Sequence, residues 1–209
     1  MLKYFTIEPL LELKKYIRYF WVLEGTASAT EPYFHRSMAD GGAEFLFHYK
    51  GRFDEIFHDG STGPSFQSGL HGPSTRFRRF TISENFGMIG AYVYPYALPA
   101  VLNMPVSVIT DCMHELDLLL GSEGRVIAEK ISLAKDNQSR VELLNDFFHR
   151  KLAGYADADP RIEASIRELI ATKGQGQVDV LASKYFLSTR QFQRLFRNFS
   201  GFTPKQFTR

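Results

Sequence analysis

The sequence has only one cysteine, Cys112, so it cannot form an internal disulfide. This favours a reducing compartment. Long apolar runs are absent as well. Charged residues interrupt the N-terminal stretch MLKYFTIEPLLELKK, which therefore lacks the apolar core of a signal peptide, and no segment is long enough to span a bilayer. We therefore expect a cytoplasmic protein with no membrane partner.

Sequence signatures of catalysis are also missing. The chain has no G-x-S-x-G, no phosphate-binding P-loop and no Rossmann glycine pattern. Its six histidines include no H-x-H pair. Glu44 and His48 are four residues apart in a segment that is predicted to be a strand, where that spacing separates two side chains. We predict no catalytic residue, no metal site and no cofactor.

Charge is distributed unevenly along the chain. Residues 160–209 carry nine Lys/Arg and three Asp/Glu, a net charge of +6, whereas residues 1–159 carry sixteen Lys/Arg and twenty Asp/Glu, a net charge of −4. An acidic body followed by a basic tail indicates two modules, of which the second meets a polyanion.

Residues 17–94 are predicted to form short strands. Aromatic and β-branched runs alternate there with turn clusters such as ADGG and GLHGPS; the runs are RYFWVLE, AEFLFHYK, RFRRFTI and MIGAYVY. This pattern predicts a small antiparallel barrel or sandwich. The apolar residues of AEFLFHYK do not alternate cleanly, so both faces of that strand are expected to be covered.

Helical patterns follow the strands. Residues 113–120 and 124–134 are predicted to be helical, and residues 138–153 place Val141, Leu144, Phe148 and Leu152 at helical spacing. Leu143 and Phe147 widen that apolar face, which suits a dimer interface and packing against the strands equally well. ADADP is the predicted linker, with Asp159 as helix cap and Pro160 in the first helical position.

The most informative helix runs from Ser188 to about Ser200. Ser188 and Gln191 form a capping box, and Gly201 can end the helix in a left-handed conformation. At about 100° per residue, one face is apolar and the opposite face is polar and basic. The polar face consists of Arg190, Gln193, Arg194 and Arg197. A second capping box follows at Thr203 and Gln206.

A short helix precedes this one, and only a few residues separate the two. Two helices joined so tightly cross steeply, as in a helix-turn-helix, which leaves the basic face of the second helix available to a DNA major groove. Arginine can pair with guanine and glutamine with adenine, while other basic residues contact phosphates. A solvated amphipathic helix is the plainer interpretation, but the two capping boxes, the tight turn and the charge division together favour DNA binding.

The segment VDVLASKYFLSTRQFQRLFRNFSGFTPKQFTR resembles the first helix-turn-helix of AraC/XylS-type transcription regulators, in the pattern LA, then S-x-R-x-F-x-R-x-F, then G-x-[ST]-P. The resemblance covers about the last fifty residues. It implies a recognition helix at 188–199 and packing positions at Leu181, Ala182, Phe192, Leu195 and Phe196. The DNA-binding residues that we assign are Ser188, Arg190, Gln191, Gln193, Arg194 and Arg197.

Three stretches are similar to a cupin-like sensor domain that precedes the DNA-binding domain in such regulators: GGAEFLFHY, SGLHGPS and MIGAYVYPYALPAVLNMPVSVITD. The expected fold is therefore α+β, an N-terminal cupin-like antiparallel β-barrel or sandwich followed by helices and an all-α helix-turn-helix subdomain. The expected domains are 1–118 for the sensor, 119–158 for a helical dimerisation or linker region, and 159–209 for the first helix-turn-helix.

The sequence departs from the family pattern in one respect. Such regulators normally carry two helix-turn-helix units joined by a long helix, and the sequence stops at Arg209, soon after the first. Either the sequence is truncated or the protein lacks the second unit. A single unit neutralises fewer phosphates and is expected to bind DNA more weakly than a pair.

Two further sets of residues invite a ligand. Trp21, Phe45, Phe47, Tyr92 and Tyr94 could line a pocket, although core packing is the default for aromatic residues. Arg76, Arg78 and Arg79 could bind an anionic effector, but an exposed strand whose charges discourage edge pairing is the favoured interpretation. The effector site stays unassigned.

We therefore predict a regulator that binds double-stranded DNA, responds to an unidentified small-molecule effector and forms a homodimer. Two alternatives remain: a cupin-type small-molecule-binding protein or enzyme, and a protein-interaction module whose basic helix docks on an acidic partner.

Overall fold

The computed structural model describes residues 1–153, 155 and 159–208. Ten strands form two antiparallel sheets: β1 (Lys3–Ile7), β2 (Ile17–Gly25), β3 (Tyr33–Ser37), β4 (Ala43–Lys50), β5 (Asp54–Ile56), β6 (Thr62–Pro64), β7 (Ser68–His71), β8 (Arg78–Ile82), β9 (Phe86–Val93) and β10 (Met113–Glu115). The larger sheet has the strand order β1-β2-β9-β4-β7-β10, and the smaller has the order β3-β8-β5-β6.

The helices lie mainly after the strands: α1 (Leu98–Leu102), α2 (Leu116–Leu120), α3 (Ser122–Leu133), α4 (Asn137–Leu152), α5 (Pro160–Ala171), α6 (Val178–Lys184), α7 (Thr189–Ser200) and α8 (Pro204–Phe207). Short 3-10 turns cover Leu11–Leu13, Pro95–Ala97 and Val106–Val108. The fold is α+β, as the sequence predicts. Over the described residues the two sheets form an open sandwich and do not close into a barrel.

The larger sheet is covered on both faces, and its strand β4 shows how. Phe45 and Phe47 point to the helices, where Phe45 packs edge-on to Phe148 of α4 with ring centroids 5.2 Å apart. Leu46 and His48 point the other way, toward the smaller sheet. Alternating side chains of one strand thus enter two different cores, and both faces of β4 are covered as predicted.

Two parts of the chain differ from the sequence prediction. Residues 113–115, predicted to be helical, form strand β10, because Met113–Glu115 pair with the edge strand β7. Strand β1 was not predicted, and it pairs with β2 from Lys3↔Glu24 to Ile7↔Phe20. Both are edge strands of the larger sheet, so they owe their structure to a partner distant in sequence rather than to a local pattern.

The wide apolar face of α4 is buried within the chain. Val141, Leu144, Phe147, Phe148 and Leu152 are all buried in the main hydrophobic cluster. The surplus apolar residue Phe147 lies 6.4 Å from the ring of Phe45, which favours packing against the sheet over a dimer interface for this part of the helix. Leu143 is only partly buried.

Helix α5 begins as predicted, with Asp159 accepting a hydrogen bond from the Arg161 amide and Pro160 in the first turn. Residues 156–158 of the predicted ADADP linker lie outside the described residues. Within the ranges that the structure describes, no helix is long and apolar enough to cross a membrane.

The C-terminal helices share the main hydrophobic cluster with the sheet. Ile162 and Ile166 of α5, and Phe192 and Phe196 of α7, belong to the same cluster as Phe20 and Phe45. The main-chain carbonyl of Lys15 also accepts a hydrogen bond from Arg167 of α5, at 2.9 Å. The predicted modules are therefore packed together rather than separated in this structure.

Candidate functional site

Local hydrogen bonds fix both ends of α7. The amide of Gln191 donates to the Ser188 hydroxyl at 3.3 Å, and the Ser188 amide donates to Gln191 Oε1 at 3.2 Å, which completes the predicted capping box. Gly201 ends the helix with φ of 83°, a left-handed conformation that glycine adopts without a steric penalty. Thr203 and Gln206 form the second predicted box at the start of α8.

The inner face of α7 anchors it to its neighbours. Phe192 and Phe196 are fully buried, with ring centroids 5.5 Å apart, and the ring of Phe207 packs edge-on against Phe196 at 5.4 Å. Leu181 and Ala182 of α6 are buried, and Leu195 is partly buried. The five packing positions predicted from the sequence therefore face the interior, although Leu195 only in part.

The outer face of α7 is open to solvent. Arg190, Gln193, Arg194 and Arg197 are all exposed. Among the described residues, none of the three arginines has a carboxylate within ion-pair distance, whereas Lys184 on α6 pairs with Glu168 at 2.8 Å. The structure thus brings four of the six predicted DNA-binding residues together on one unpaired cationic surface.

Ser188 and Gln191, the other two predicted residues, are exposed beside that surface. Their oxygen atoms are occupied by the capping box, which leaves the Gln191 side-chain amide as the group able to donate outward. Their established contribution in the structure is therefore to fix the first turn of α7.

The turn between α6 and α7 is short and conformationally constrained. Tyr185, Phe186 and Leu187 separate Lys184 from the Ser188 cap. Phe186 has a positive φ of 56° and is 89% exposed. A bulky residue in the left-handed region carries a steric cost, and the exposed ring of Phe186 gains no hydrophobic burial that would offset it.

A cavity of about 320 Å³ lies between the two sheets. Cross-strand pairs of the larger sheet form its floor. One row runs through Tyr19↔Tyr92, Tyr92↔Glu44, Glu44↔His71 and His71↔Met113. The next row contains Gly90 opposite both Trp21 and Leu46, and a side chain at Gly90 would collide with the Trp21 indole. Gly90 therefore lets the Trp21 indole lie close against the sheet.

Several polar atoms at the cavity have no partner among the described residues. Trp21 Nε1, His48 Nε2 and His71 Nε2 are buried without a hydrogen bond. Burial lowers the pKa of both histidines to about 4, so both rings are neutral at neutral pH. His48 Nδ1 lies 3.3 Å from the Gln67 carbonyl, which only accepts; that nitrogen therefore carries the proton, and Nε2 is left as an acceptor.

Glu44 is a cavity carboxylic acid with a strongly shifted pKa. Burial, and secondarily the charge of Asp40, raises the pKa of Glu44 to about 7. Asp40 itself accepts hydrogen bonds from the Gly42 amide and, at 2.9 Å, from the Tyr92 hydroxyl. Perturbed acids and unpartnered polar atoms around an apolar cavity are typical of a ligand-binding site.

The cavity includes only part of the aromatic set considered from the sequence. Trp21 and Tyr92 line it, whereas Phe45 and Phe47 face the helices and Tyr94 lies at the edge of that same cluster. Arg78 is held by Glu55 at 2.6 Å. Its strand β8 pairs with β3 on one side and β5 on the other, so the expectation that the arginines protect an exposed sheet edge is wrong for Arg78 and Arg79. Sequence reasoning missed Glu44, His48 and His71 as cavity residues. Glu44 and His48 are polar residues on the same face of a largely apolar β4, with Leu46 between them, and nothing within the strand shows whether that face meets a cavity or solvent.

No group of three or more potential metal ligands occurs in the part of the chain that the structure describes. Glu44 and His48 share a face of β4, but their neighbours across the sheet, Tyr92, His71 and Met88, do not complete a ligand set.

Comparisons with solved structures find regulators at low similarity. ToxT from Vibrio cholerae is 12% identical, with a TM-score of 0.33 over 90% of this chain and 97% of that one. The AraC-like transcriptional activator CuxR is 10% identical, with a TM-score of 0.34 over 94% of this chain and 80% of that one. The cupin domain of an XRE family transcriptional regulator from Enterobacter cloacae is 13% identical, with a TM-score of 0.33 over 45% of this chain and 97% of that one.

TM-scores this low do not establish a shared function. No curated protein sequence matches the chain. A family model does match, over residues 5–115, which are more than half of the 209 residues and include every strand of both sheets except the first two residues of β1. The chain therefore belongs to the family described as a domain of unknown function, DUF6597.

Proposed function

We propose that the protein is a sequence-specific DNA-binding transcription regulator in which α6 and α7 form a helix-turn-helix and α7 is the recognition helix. The observation that carries the proposal is the cationic surface of Arg190, Gln193, Arg194 and Arg197. These side chains are exposed, and the arginines have no ion-pair partner among the described residues. The buried rings of Phe192 and Phe196 hold the helix from behind. An anchored helix with an open cationic face suits the phosphate-lined major groove.

The residues divide by position into two roles. Arg190, Gln193 and Arg194 lie in the first half of the helix, the part that contacts base edges in helix-turn-helix proteins. Arginine and glutamine provide the paired donors and acceptors that distinguish guanine and adenine. Arg197 is nearer the end of α7 and is assigned a phosphate contact, which contributes affinity but no sequence preference.

The cavity is the proposed effector site. It connects to the helix-turn-helix through a short series of contacts. Tyr92 at the cavity donates to Asp40, and the next residue, Gly41, lies so close to Phe207 that any side chain there would collide with the ring. Phe207 in turn packs on Phe196 of α7. A ligand that moves Tyr92 or Asp40 would therefore change how α7 is held, which is a shift between two arrangements.

A regulator of this type is not an enzyme and needs no cofactor. We further propose that it acts in the cytoplasm and as a homodimer. A dimer carries two helix-turn-helix units and so doubles the number of phosphate contacts that one unit supplies. Sedimentation of the purified chain tests the dimer independently of DNA binding.

The experiment that tests the function is selection of bound duplexes from a random library, followed by affinity measurements on the enriched sequence. We expect an enriched motif. Replacing Arg194 by Ala should cost about 1–3 kcal/mol, concentrated at one base position. Arg150→Ala is the matched control, because Arg150 is also an exposed helical arginine but lies on α4, away from the proposed surface. A library that yields no enriched sequence, or an equal effect of both substitutions, contradicts the proposal.

A further inference from the structure

We propose that the cavity between the sheets binds a small organic amine, whose ammonium group lies against Glu44 and whose apolar body extends toward Trp21. This deepens the proposed function by naming the class of effector, and it depends on that function only for its regulatory consequence. Binding itself is measurable without DNA.

The charges at the cavity favour a cation. Two carboxylates line it, Asp40 and Glu44, against the single guanidinium of Arg36. A second guanidinium, that of Arg18, lies against Tyr19 and Tyr92 but does not line the cavity. Arg36 is exposed, and its guanidinium lies 3.8 Å from the ring centroid of Phe77, a residue that does not line the cavity. The three histidines of the cavity, His35, His48 and His71, have pKa values lowered by burial, so they are neutral and offer no positive charge to an anion.

Glu44 is the carboxylate that lacks a partner. Asp40 is satisfied by the Gly42 amide and the Tyr92 hydroxyl. The carboxylate of Glu44 forms no hydrogen bond or ion pair with any side chain or main-chain group in the described ranges, although the cross-strand neighbours of Glu44, Tyr92 and His71, are both polar. A half-buried carboxylate without a partner is costlier to ionise than one in water, and a ligand ammonium would supply the missing charge.

Aromatic rings surround the same end of the cavity. Tyr4, Tyr19 and Tyr92 line it, and the rings of Tyr19 and Tyr92 are 5.3 Å apart. Aromatic faces attract ammonium groups, only modestly at an exposed ring such as Tyr4, which is 58% exposed, and more strongly at a buried ring such as Tyr92. A guanidinium already occupies one side of this pair, since Arg18 lies 5.6 Å from the Tyr19 centroid and 5.5 Å from that of Tyr92. The pair can therefore hold a cation.

The other end of the cavity is more apolar. Leu23, Leu46, Phe53, Phe80 and Met88 line it, and they suit a hydrocarbon or aromatic body. The indole N–H of Trp21 and the Nε2 acceptor of His48 are available there to one neutral polar group. Glu44 and His48 are four residues apart on one strand, so their backbones are separated by about 13 Å. That length suits a ligand with an amine at one end and a neutral group at the other.

The pH dependence of binding follows from the groups that face Glu44. These are Asp40 from the loop before β4, Tyr4 from β1, Arg18 and Tyr19 from β2, Tyr92 from β9 and His71 from β7. Burial lowers the pKa of His71 to about 4 and raises the pKa values of the three tyrosines above their ordinary range. Glu44, with a pKa of about 7, titrates between pH 6 and pH 8. The ammonium binds the ionised carboxylate. Its affinity should therefore fall about tenfold from pH 8 to pH 6, because the fraction of ionised Glu44 falls by that factor.

The test is calorimetric titration of the purified full chain with three probes of one shape: 2-phenylethylamine, 2-phenylethanol and 3-phenylpropanoate. We expect the amine to bind at least tenfold more tightly than the alcohol and the carboxylate to bind more weakly than either. Glu44→Gln should reduce the affinity for the amine at least tenfold and leave that for the alcohol unchanged. Glu84→Gln, which neutralises an exposed carboxylate away from the cavity, is the matched control and should change neither.

Three outcomes overturn the proposal: no binding of the amine at millimolar concentration, equal binding of amine and alcohol, or preference for the carboxylate. If Glu44→Gln does not fold, the tenfold pH dependence in the unmodified protein decides the matter alone. If the protein binds the amine but no DNA, the proposed function is refuted and this inference stands. If it binds DNA but not the amine, only this inference is refuted.

Discussion

The hydroxyl of Thr110 donates a hydrogen bond to the main-chain carbonyl of Gly201, at 3.1 Å. Thr110 follows the 3-10 turn at Val106–Val108, and Gly201 is the residue that ends α7. The proposed recognition helix is therefore attached at its C-terminal end to the segment that connects β9 and β10 of the larger sheet.

Gly201→Ala should destabilise the protein more than an equivalent change elsewhere. Gly201 has φ of 83°, and a Cβ there would also overlap the Thr110 hydroxyl. Gly60 has a nearly identical φ of 85° and open space around it. We expect Gly60→Ala to cost about 1 kcal/mol from the left-handed backbone alone and Gly201→Ala to cost clearly more. Urea denaturation of the two variants measures the difference, and equal costs would show that the contact with Thr110 contributes nothing.

Ser188→Ala should lower the free energy of unfolding by about 1 kcal/mol, because it removes the hydroxyl that accepts from the Gln191 amide. Ser132→Ala is the control. Ser132 is an exposed serine inside α3, where alanine is the better helix former, so no loss is expected. Thermal unfolding of both variants measures this. A neutral Ser188→Ala variant would contradict the role of the box in fixing α7.

Phe186→Asn should stabilise the protein by about 0.5–1 kcal/mol. Phe186 has φ of 56° and an 89% exposed side chain, and asparagine tolerates that conformation better than other non-glycine residues. Phe186→Ala removes the same ring without relieving the backbone, so we expect no gain from it. Chemical denaturation distinguishes the two variants, and a loss of stability in both would show that the ring contributes to the fold.

Glu44→Gln should become progressively more stable than the unmodified protein as the pH rises from about 4.5 to 7. The folded pKa of Glu44, about 7, is raised above the unfolded value of 4.5. Its contribution to stability is therefore fully present below pH 4.5 and is lost as the pH rises through 7. The full difference is up to about 3 kcal/mol.

Urea denaturation of both proteins at a series of pH values measures this difference. Comparing the two proteins at each pH cancels the contributions of His48 and His71, whose lowered pKa values act with the opposite sign in the same range. A difference in stability that stays constant with pH would show that Glu44 ionises normally in the folded protein.

The sequence predicted α7 closely because its determinants are local. The Ser188 and Gln191 box, the spacing of Phe192 and Phe196, and Gly201 all lie within fourteen residues. The α+β architecture was also predicted, since the turn clusters and strand patterns are equally local.

The parts that the sequence did not reveal depend on distant pairing. Met113–Glu115 form a strand only because β7 offers an edge. The cavity exists because a second sheet covers the face of β4 that carries Glu44 and His48. Nothing within β4 alone distinguishes a polar residue that faces a cavity from one that faces solvent.

The most direct test of the central claim is the salt dependence of duplex DNA binding, measured by fluorescence anisotropy for the unmodified chain and for a triple variant with Arg190, Arg194 and Arg197 replaced by alanine. The account predicts measurable affinity at low salt, a negative slope of log affinity against log salt, and a slope that becomes shallower by about one for each arginine that contacts a phosphate. Arg150→Ala should leave that slope unchanged. Absence of binding at low salt, or a triple variant with the affinity of the unmodified chain, would contradict the assignment of α7 as a DNA-binding helix.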